Sequence, residues 1–455
     1  MINTIKASNF PKKSLAISKE KVKKHVKLIE VTYENNNDSD YTEKIKELDK
    51  NFNYSSNSNY YWSDPELSTL YGTPLYEEAS PSQRIALNHI YWAGQYIQTA
   101  ATEASTVFYN QLTARVFSEF DGYETLCKEL ELETEQERHH IHAFQKISYK
   151  TKIALQGKAG LGNPLYQQFK PQFSPINWIN SHVGGVQDCT LSLITKTMLS
   201  SRAHSNLLLK ELDSQNKSIP VQNSALVGLI AGSQPMLKFL TLNWGSSPFL
   251  ACQYYLIRFM ANMLLKKYEY RYSLYFRQLE KKDEFIPAPT AVSRYHLLDE
   301  SFHTTISQQI AKGLYKDFPK PTAYEKFVAN IAIYLSQRNI FGGLSGGILC
   351  IFRDDAQLML LFYRLLKSPI FEMSSQEALY WIEKCLCQEH EGFHVNLKYH
   401  QSLLSDFRYH VQDFDFLWPI NREMRLMASG GSIHKAIQNN INSFKHFSKR
   451  LTVNN

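Results

Sequence analysis

The sequence predicts an all-α protein built round a four-helix bundle, with additional helices in its C-terminal part and a helical or loop insertion in its middle. Three observations carry this. Apolar residues recur at helical spacing over several long segments, while strand-like alternation is nearly absent. Proline, glycine and capping residues bound those segments. Four of the segments each hold a carboxylate among small or apolar neighbours.

Residues 1–60 are polar and include the low-complexity stretches Asn35-Asn-Asn-Asp-Ser-Asp and Asn51-Phe-Asn-Tyr-Ser-Ser-Asn-Ser-Asn59. Such a segment buries too little apolar surface to offset its ordering entropy, so a disordered tail with one short helix is expected. Ser80-Pro81 then reads as a helix start, and the first long helix runs to about Phe120, ended by Asp121-Gly122. It carries Glu103 among Ala100, Ala101, Ala104 and Val107. A second helix spans about Tyr123 to Gly157.

Residues 159–247 are rich in Gly and Pro, which predicts shorter helices and loops inserted as a cap over the bundle. The third long helix covers Pro248–Lys281. After Pro287 and Pro289 the fourth covers about Ala288–Leu314. Further helices are predicted at Tyr324–Asn339, Gly347–Leu366, Gln376–Leu404 and Ile420–Arg450. The domain division is thus a tail (1–60), a bundle (80–315) and a C-terminal helical region (316–455) packed on it.

Composition removes several function classes. The 455 residues are 43% hydrophobic, enough for a large core. The formal charge of +7 is spread along the chain, so no nucleic-acid face is expected. Cysteines 127, 189, 252, 350, 385 and 387 form no C-x-x-C pair or disulfide framework, and the first residues lack a signal-peptide core; a cytoplasmic location fits best. No membrane span is expected, because the most apolar stretch, Pro248–Leu265, is interrupted by Gln253, Arg258 and Asn262.

The chemistry-bearing stretch is Val292–Ile306, which holds His296, Glu300 and His303 as H-x-x-x-E-x-x-H. On a helix Glu300 lies about 40° round from His296, and His303 about 60° back from Glu300, so all three share one stripe. Val292, Ile306 and Ile310 continue that stripe as an apolar face. In the second helix Glu137 and His140 share a face with Leu126, Leu130, Phe144 and Ile147, whereas Glu135, His139 and His142 lie with Glu131, Lys146 and Lys150 on a face that looks solvated. The third helix offers Glu269.

The order Glu103, Glu137-x-x-His140, Glu269, Glu300-x-x-His303 is the pattern of ferritin-like di-iron carboxylate bundles. Carboxylates mixed with imidazoles suit two Fe ions, with a Mn/Fe pair as the alternative; the lack of thiolates argues against structural zinc. A third E-x-x-H, Glu391 to His394, has no partner helix and reads as chance, although Glu389 and His390 beside it leave room for a minor second site. Asp299 or Tyr295 could orient a ligating imidazole or simply face solvent. His89, Tyr91 and Trp92 read as core.

With His296 four residues before Glu300, the set resembles the AurF-type non-haem di-iron oxygenases, the p-aminobenzoate N-oxygenase family, over residues 80–315. The stretch between His140 and Glu269 is longer here than in that family, and so is the part beyond Leu314. The resemblance implies that Glu137 and Glu300 bridge two irons. Glu103 and His140 would complete one, and Glu269, His296 and His303 the other. It also implies an O2-dependent monooxygenase that oxidises the nitrogen of an arylamine-like small molecule through a peroxo-diferric intermediate. An external electron donor would be needed, and a homodimer is compatible. The alternative keeps the site but hydroxylates or desaturates an acyl or carrier-bound substrate. A third reading is a helical scaffold or binding protein with a structural metal site, against which the number of buried ionisable groups argues.

Overall fold

In the computed structural model, residues 23–157, 243–245, 247–341, 344, 356–425 and 431–452 are described. Among them every regular element is a helix. In chain order these are α1 (Lys24–Asn37), α2 (Tyr41–Asn51), α3 (Tyr54–Asn57), α4 (Pro74–Glu78), α5 (Pro81–Phe117), α6 (Glu124–Gln156), α7 (Pro248–Lys281) and α8 (Ala288–Lys312). They continue with α9 (Ala323–Phe341), α10 (Ala356–Leu366), α11 (Ser375–Cys387), α12 (Glu391–Val411), α13 (Pro419–Glu423) and α14 (Ile433–Thr452), with short 3-10 turns at Pro65–Leu67 and Leu314–Asp317.

Two of the four long helices, α5 and α7, start at side-chain caps. At α5 the Ser80 hydroxyl accepts from the Gln83 N–H while the Gln83 side chain accepts from the Ser80 N–H, and Pro81 fills the first turn. At α7 the Ser247 hydroxyl accepts from the Leu250 N–H, again ahead of a proline. The α6 helix stops at Gly157, whose φ of 73° ends the helical path. Helix α5 packs mainly on α6, and α7 on α8.

Two separate apolar clusters fill the bundle. One gathers Leu87, Ile90 and Trp92 of α5, Phe144 and Ile147 of α6, Tyr272 of α7 and Val292 of α8. The other gathers Leu112 and Phe117 of α5, Leu130 of α6, Tyr255 and Met260 of α7 and Ile306 and Ile310 of α8. Between them lies a layer of buried polar side chains, which includes Glu103, Glu133, Glu137, His140, Arg258, Glu269, His296, Asp299, Glu300 and His303. Helices α9 and α12 lie against α7, and α10, α11 and α14 pack together and extend the first cluster. No described helix is long and apolar enough to cross a membrane.

The N-terminal segment corrects the expectation of a disordered tail. Residues 24–37 and 41–51 are helical and lie across α6 and α8, with Ile29, Ile45 and Phe52 buried. The composition is polar because the segment is held largely by polar pairing. Asp49 takes His142 at 2.8 Å and Lys146 at 3.2 Å, so α2 covers part of the α6 face that looked solvated. Asn57 accepts the Ala288 N–H at 2.7 Å, at the start of α8. Counting apolar residues misses such docking. Residues 1–22 lie outside the described part, as does the 159–247 insertion apart from 243–245 and 247.

Two of the predicted C-terminal helices are divided, whereas α9 (Ala323–Phe341) agrees with the predicted Tyr324–Asn339. The predicted Gln376–Leu404 helix is two, because Gln388 is extended and His390 caps α12 by accepting from the Gly392 N–H. The predicted Ile420–Arg450 helix also divides, α13 ending at Met424 in a left-handed conformation. Of the predicted Gly347–Leu366 helix, the part from Ala356 is seen; 345–355 lie outside the described residues. Gly392 is required by a close crossing: its N–H donates to the Gly72 carbonyl at 3.1 Å, and a Cβ on it would sit 2.9 Å from the Tyr71 carbonyl oxygen. Because backbone cannot yield cheaply, Gly392→Ala should cost about 1–3 kcal/mol, read by urea unfolding. A variant as stable as wild type would show that the crossing relaxes freely.

His89, Tyr91 and Trp92 are fully buried in the first cluster. His89 stacks on Trp62 at 3.9 Å, faces the Tyr54 hydroxyl at 3.0 Å and the Tyr60 carbonyl at 2.8 Å. Burial lowers its pKa to about 4, against a smaller upward pull from the Tyr60 carbonyl. The unfolded chain therefore binds a proton that the folded chain refuses. Stability from this residue is complete above the ordinary histidine value and is lost as the pH falls from about 6.5 to 4. That loss, on the order of 3 kcal/mol, should be smaller in His89→Phe when unfolding is followed against pH. An identical pH profile in the variant would refute the assignment.

Candidate metal centre

Helices α5 to α8 deliver the seven side chains singled out by sequence into the polar layer, and all seven are buried. From α5, Glu103 meets His296 Nε2 at 2.9 Å. Glu137 and His140 lie one turn apart on α6, with Glu137 Oε2 3.5 Å from His140 Nδ1 and Glu137 Oε1 3.4 Å from His303 Nδ1. Glu300 lies 2.8 Å from His303 Nδ1 and 3.7 Å from His296 Nε2.

Two groups have the closeness a metal ion needs. Glu103, His140, His296 and Glu300 each offer an atom within 4.8 Å of the others, and Glu137, Glu300 and His303 do the same. Glu300 belongs to both, and Glu137 touches a histidine of each, so these two carboxylates occupy bridging positions. His296 Nε2 sides with Glu103 and His140, a different division from the one implied by the family resemblance. Glu269 stands outside both groups, at 2.5 Å from His296 Nδ1 and 2.7 Å from the Tyr96 hydroxyl.

Each imidazole has one nitrogen on an orienting acceptor and the other on the cluster. His140 Nε2 donates to Asp299 at 3.1 Å, His303 Nε2 to the Gln136 side-chain oxygen at 2.9 Å, and His296 Nδ1 to Glu269. This fixes which nitrogen keeps its lone pair for a cation. Asp299 is fully buried and does orient an imidazole; Tyr295 instead packs on Tyr41 and Phe276.

Donor chemistry and unmet valence both fit a metal. Glu103 Oε2, Glu137 Oε2, His140 Nδ1 and Glu269 Oε2 are buried without a hydrogen-bond partner, a costly state that a cation relieves. Burial and the nearby Glu137 charge push the Glu103 carboxyl up to about 7. Burial also works to raise Glu137, but His140, His303 and Arg258 prevail and hold it well below the carboxylate range. Burial opposes the charge on His140 too, yet Asp299 and Glu137 raise its pKa to about 9. Protons on the imidazoles thus substitute for cations, and metal uptake would expel them.

Sequence reasoning missed Arg258, Glu133 and Gln136. Arg258 donates to Glu133 and, at 2.8 Å, to Glu137, holding a bridging carboxylate from behind. Its signal was available: a guanidinium interrupting the most apolar stretch of the chain. Glu133 lies one turn before Glu137 on the same stripe. At the other candidate site Glu391 is exposed and His394 meets Glu389 at the surface, as a chance motif would.

The profile of the acyl halogenase CylC-like family matches residues 24–448. No curated protein and no solved structure matches the chain.

Proposed function

The chain belongs to the acyl halogenase CylC-like family, and from that premise we propose that it is a metal-dependent oxidative enzyme replacing a hydrogen of an acyl group with halogen. The observation that carries the reading is the buried convergence of Glu103, Glu137, His140, His296, Glu300 and His303 on one point shared by three helices, α5, α6 and α8. Two irons are the cofactor these donors suit best. Bound there, they would supply the activation of O2.

The protein's own residues have definable tasks in this reading. Glu137 and Glu300 would be shared between the ions, and Glu103, His140, His296 and His303 would supply the remaining donors. Asp299, Gln136 and Glu269 keep the imidazole lone pairs aimed inward. The two apolar clusters on either side exclude water from the layer. For halogenation the balance is one O2, one halide, two electrons from an external donor and three protons per C–H bond replaced, giving two waters. An acyl group on a carrier is the form of substrate we favour, since the family description names an acyl group.

Oxygenation of an amine nitrogen is the second reading, supported by the H-x-x-x-E-x-x-H spacing of His296, Glu300 and His303. Anaerobic loading with Fe(II), then an O2 pulse with bromide, a reductant and either an acyl thioester or an arylamine, separates the two. A brominated acyl product carries the first reading and an oxidised amine the second. A chain that takes up no iron, or shows no O2-dependent absorption change, would defeat both.

A further inference from the structure

The N-terminal helices reach the metal layer through two polar side chains. Thr42 of α2 donates its hydroxyl proton to Asp299 Oδ2 at 2.7 Å, on the same oxygen that accepts from His140 Nε2. Asn36 at the end of α1 exchanges two hydrogen bonds with Gln136, giving from Nδ2 at 3.2 Å and receiving from Gln136 Nε2 at 2.8 Å. Its Nδ2 also donates to Glu129 Oε1 at 3.0 Å. All of these groups are buried.

In the second chain of bonds Glu129 Oε1 receives from Asn36 Nδ2, so the Asn36 amide turns its oxygen to Gln136 Nε2. Gln136 then has only its oxygen left for His303, whose Nε2 must carry the proton and whose Nδ1 must face Glu300 and Glu137. A different route, from Thr42 through Asp299, does the same for His140. Asn36 and Thr42 touch no ligand atom.

We propose that α1 and α2 form a strap whose side chains Asn36 and Thr42 are positioning residues of the metal centre, locking His303 and His140 in the tautomers that bind metal. The proposal rests on the metal reading of the site. It assigns the polar N-terminal segment a part in the chemistry that composition alone hides.

Cobalt(II) binding to the full chain, followed by absorption and by equilibrium titration, tests it. Thr42→Val and Asn36→Leu should each weaken cobalt affinity by about 10- to 100-fold and alter the ligand-field spectrum, while Thr42→Ser restores both. Asp49→Asn loosens the same strap at its contact with His142 and Lys146 and should leave the spectrum unchanged. Wild-type affinity and spectrum in folded Thr42→Val and Asn36→Leu would overturn the proposal, as would an equal loss in Asp49→Asn. A variant too unstable to titrate is replaced by Asn36→Gln or Thr42→Ala, read by the same two measurements. Absence of cobalt binding in the wild-type chain would remove the metal reading and the strap's role with it.

Discussion

Glu300→Ala protein is expected to fold and yet to lose its metal. Glu300 is the carboxylate common to both candidate ion groups, so its removal takes a donor from each and leaves His303 Nδ1 without its 2.8 Å partner. Outer partners of metal ligands cost about 10- to 100-fold in affinity when removed, and a shared ligand should exceed the upper figure. Metal analysis after dialysis should fall from close to two ions per chain, the number expected from the donor set, to well below one, with the helical circular dichroism retained. Unchanged metal content would show that the ions bind elsewhere, and the proposed reaction would go with them.

Arg258→Met should produce the largest loss of stability among single substitutions in the polar layer. Arg258 is almost fully buried and serves Glu133 and Glu137, so its loss strands Glu133 and leaves Glu137 with its imidazole partners alone. Breaking one side of a buried ion pair costs about 3–5 kcal/mol. The double change Arg258→Met with Glu133→Gln should recover part of this, because the stranded charge is removed together with its partner. Metal-loaded protein should suffer less than metal-free protein, since cations then balance Glu137. Urea unfolding of the wild type and both variants, with and without metal, decides it. A cost under about 1 kcal/mol for the single change would mean that water reaches these carboxylates.

The long helices were legible because their signals are local. Ser80-Pro81, Ser247-Pro248 and Pro287-Ala288-Pro289 begin three of them, and each observed start agrees with the sequence. Ligand positions were legible for the same reason, since helical spacing alone decides which face Glu137, His140, His296, Glu300 and His303 share. Contacts between distant segments were not. Nothing adjacent to Asn36 or Thr42 says that Gln136 or Asp299 awaits them, and nothing near Glu269 says that its carboxylate lies 2.5 Å from His296 Nδ1. The approach of Gly72 to Gly392, just after the split between α11 and α12 and more than three hundred residues away in the chain, was equally hidden.

The separation of the two oily ends by a charged waist has an energetic corollary. Leu87 in one end and Ile310 in the other share no neighbours within a common apolar cluster, so a cavity cut at either place is invisible to the other. Their penalties should sum to within about 0.3–0.5 kcal/mol. Drift or redesign at one pole of the bundle can therefore proceed without compensating changes at its opposite pole.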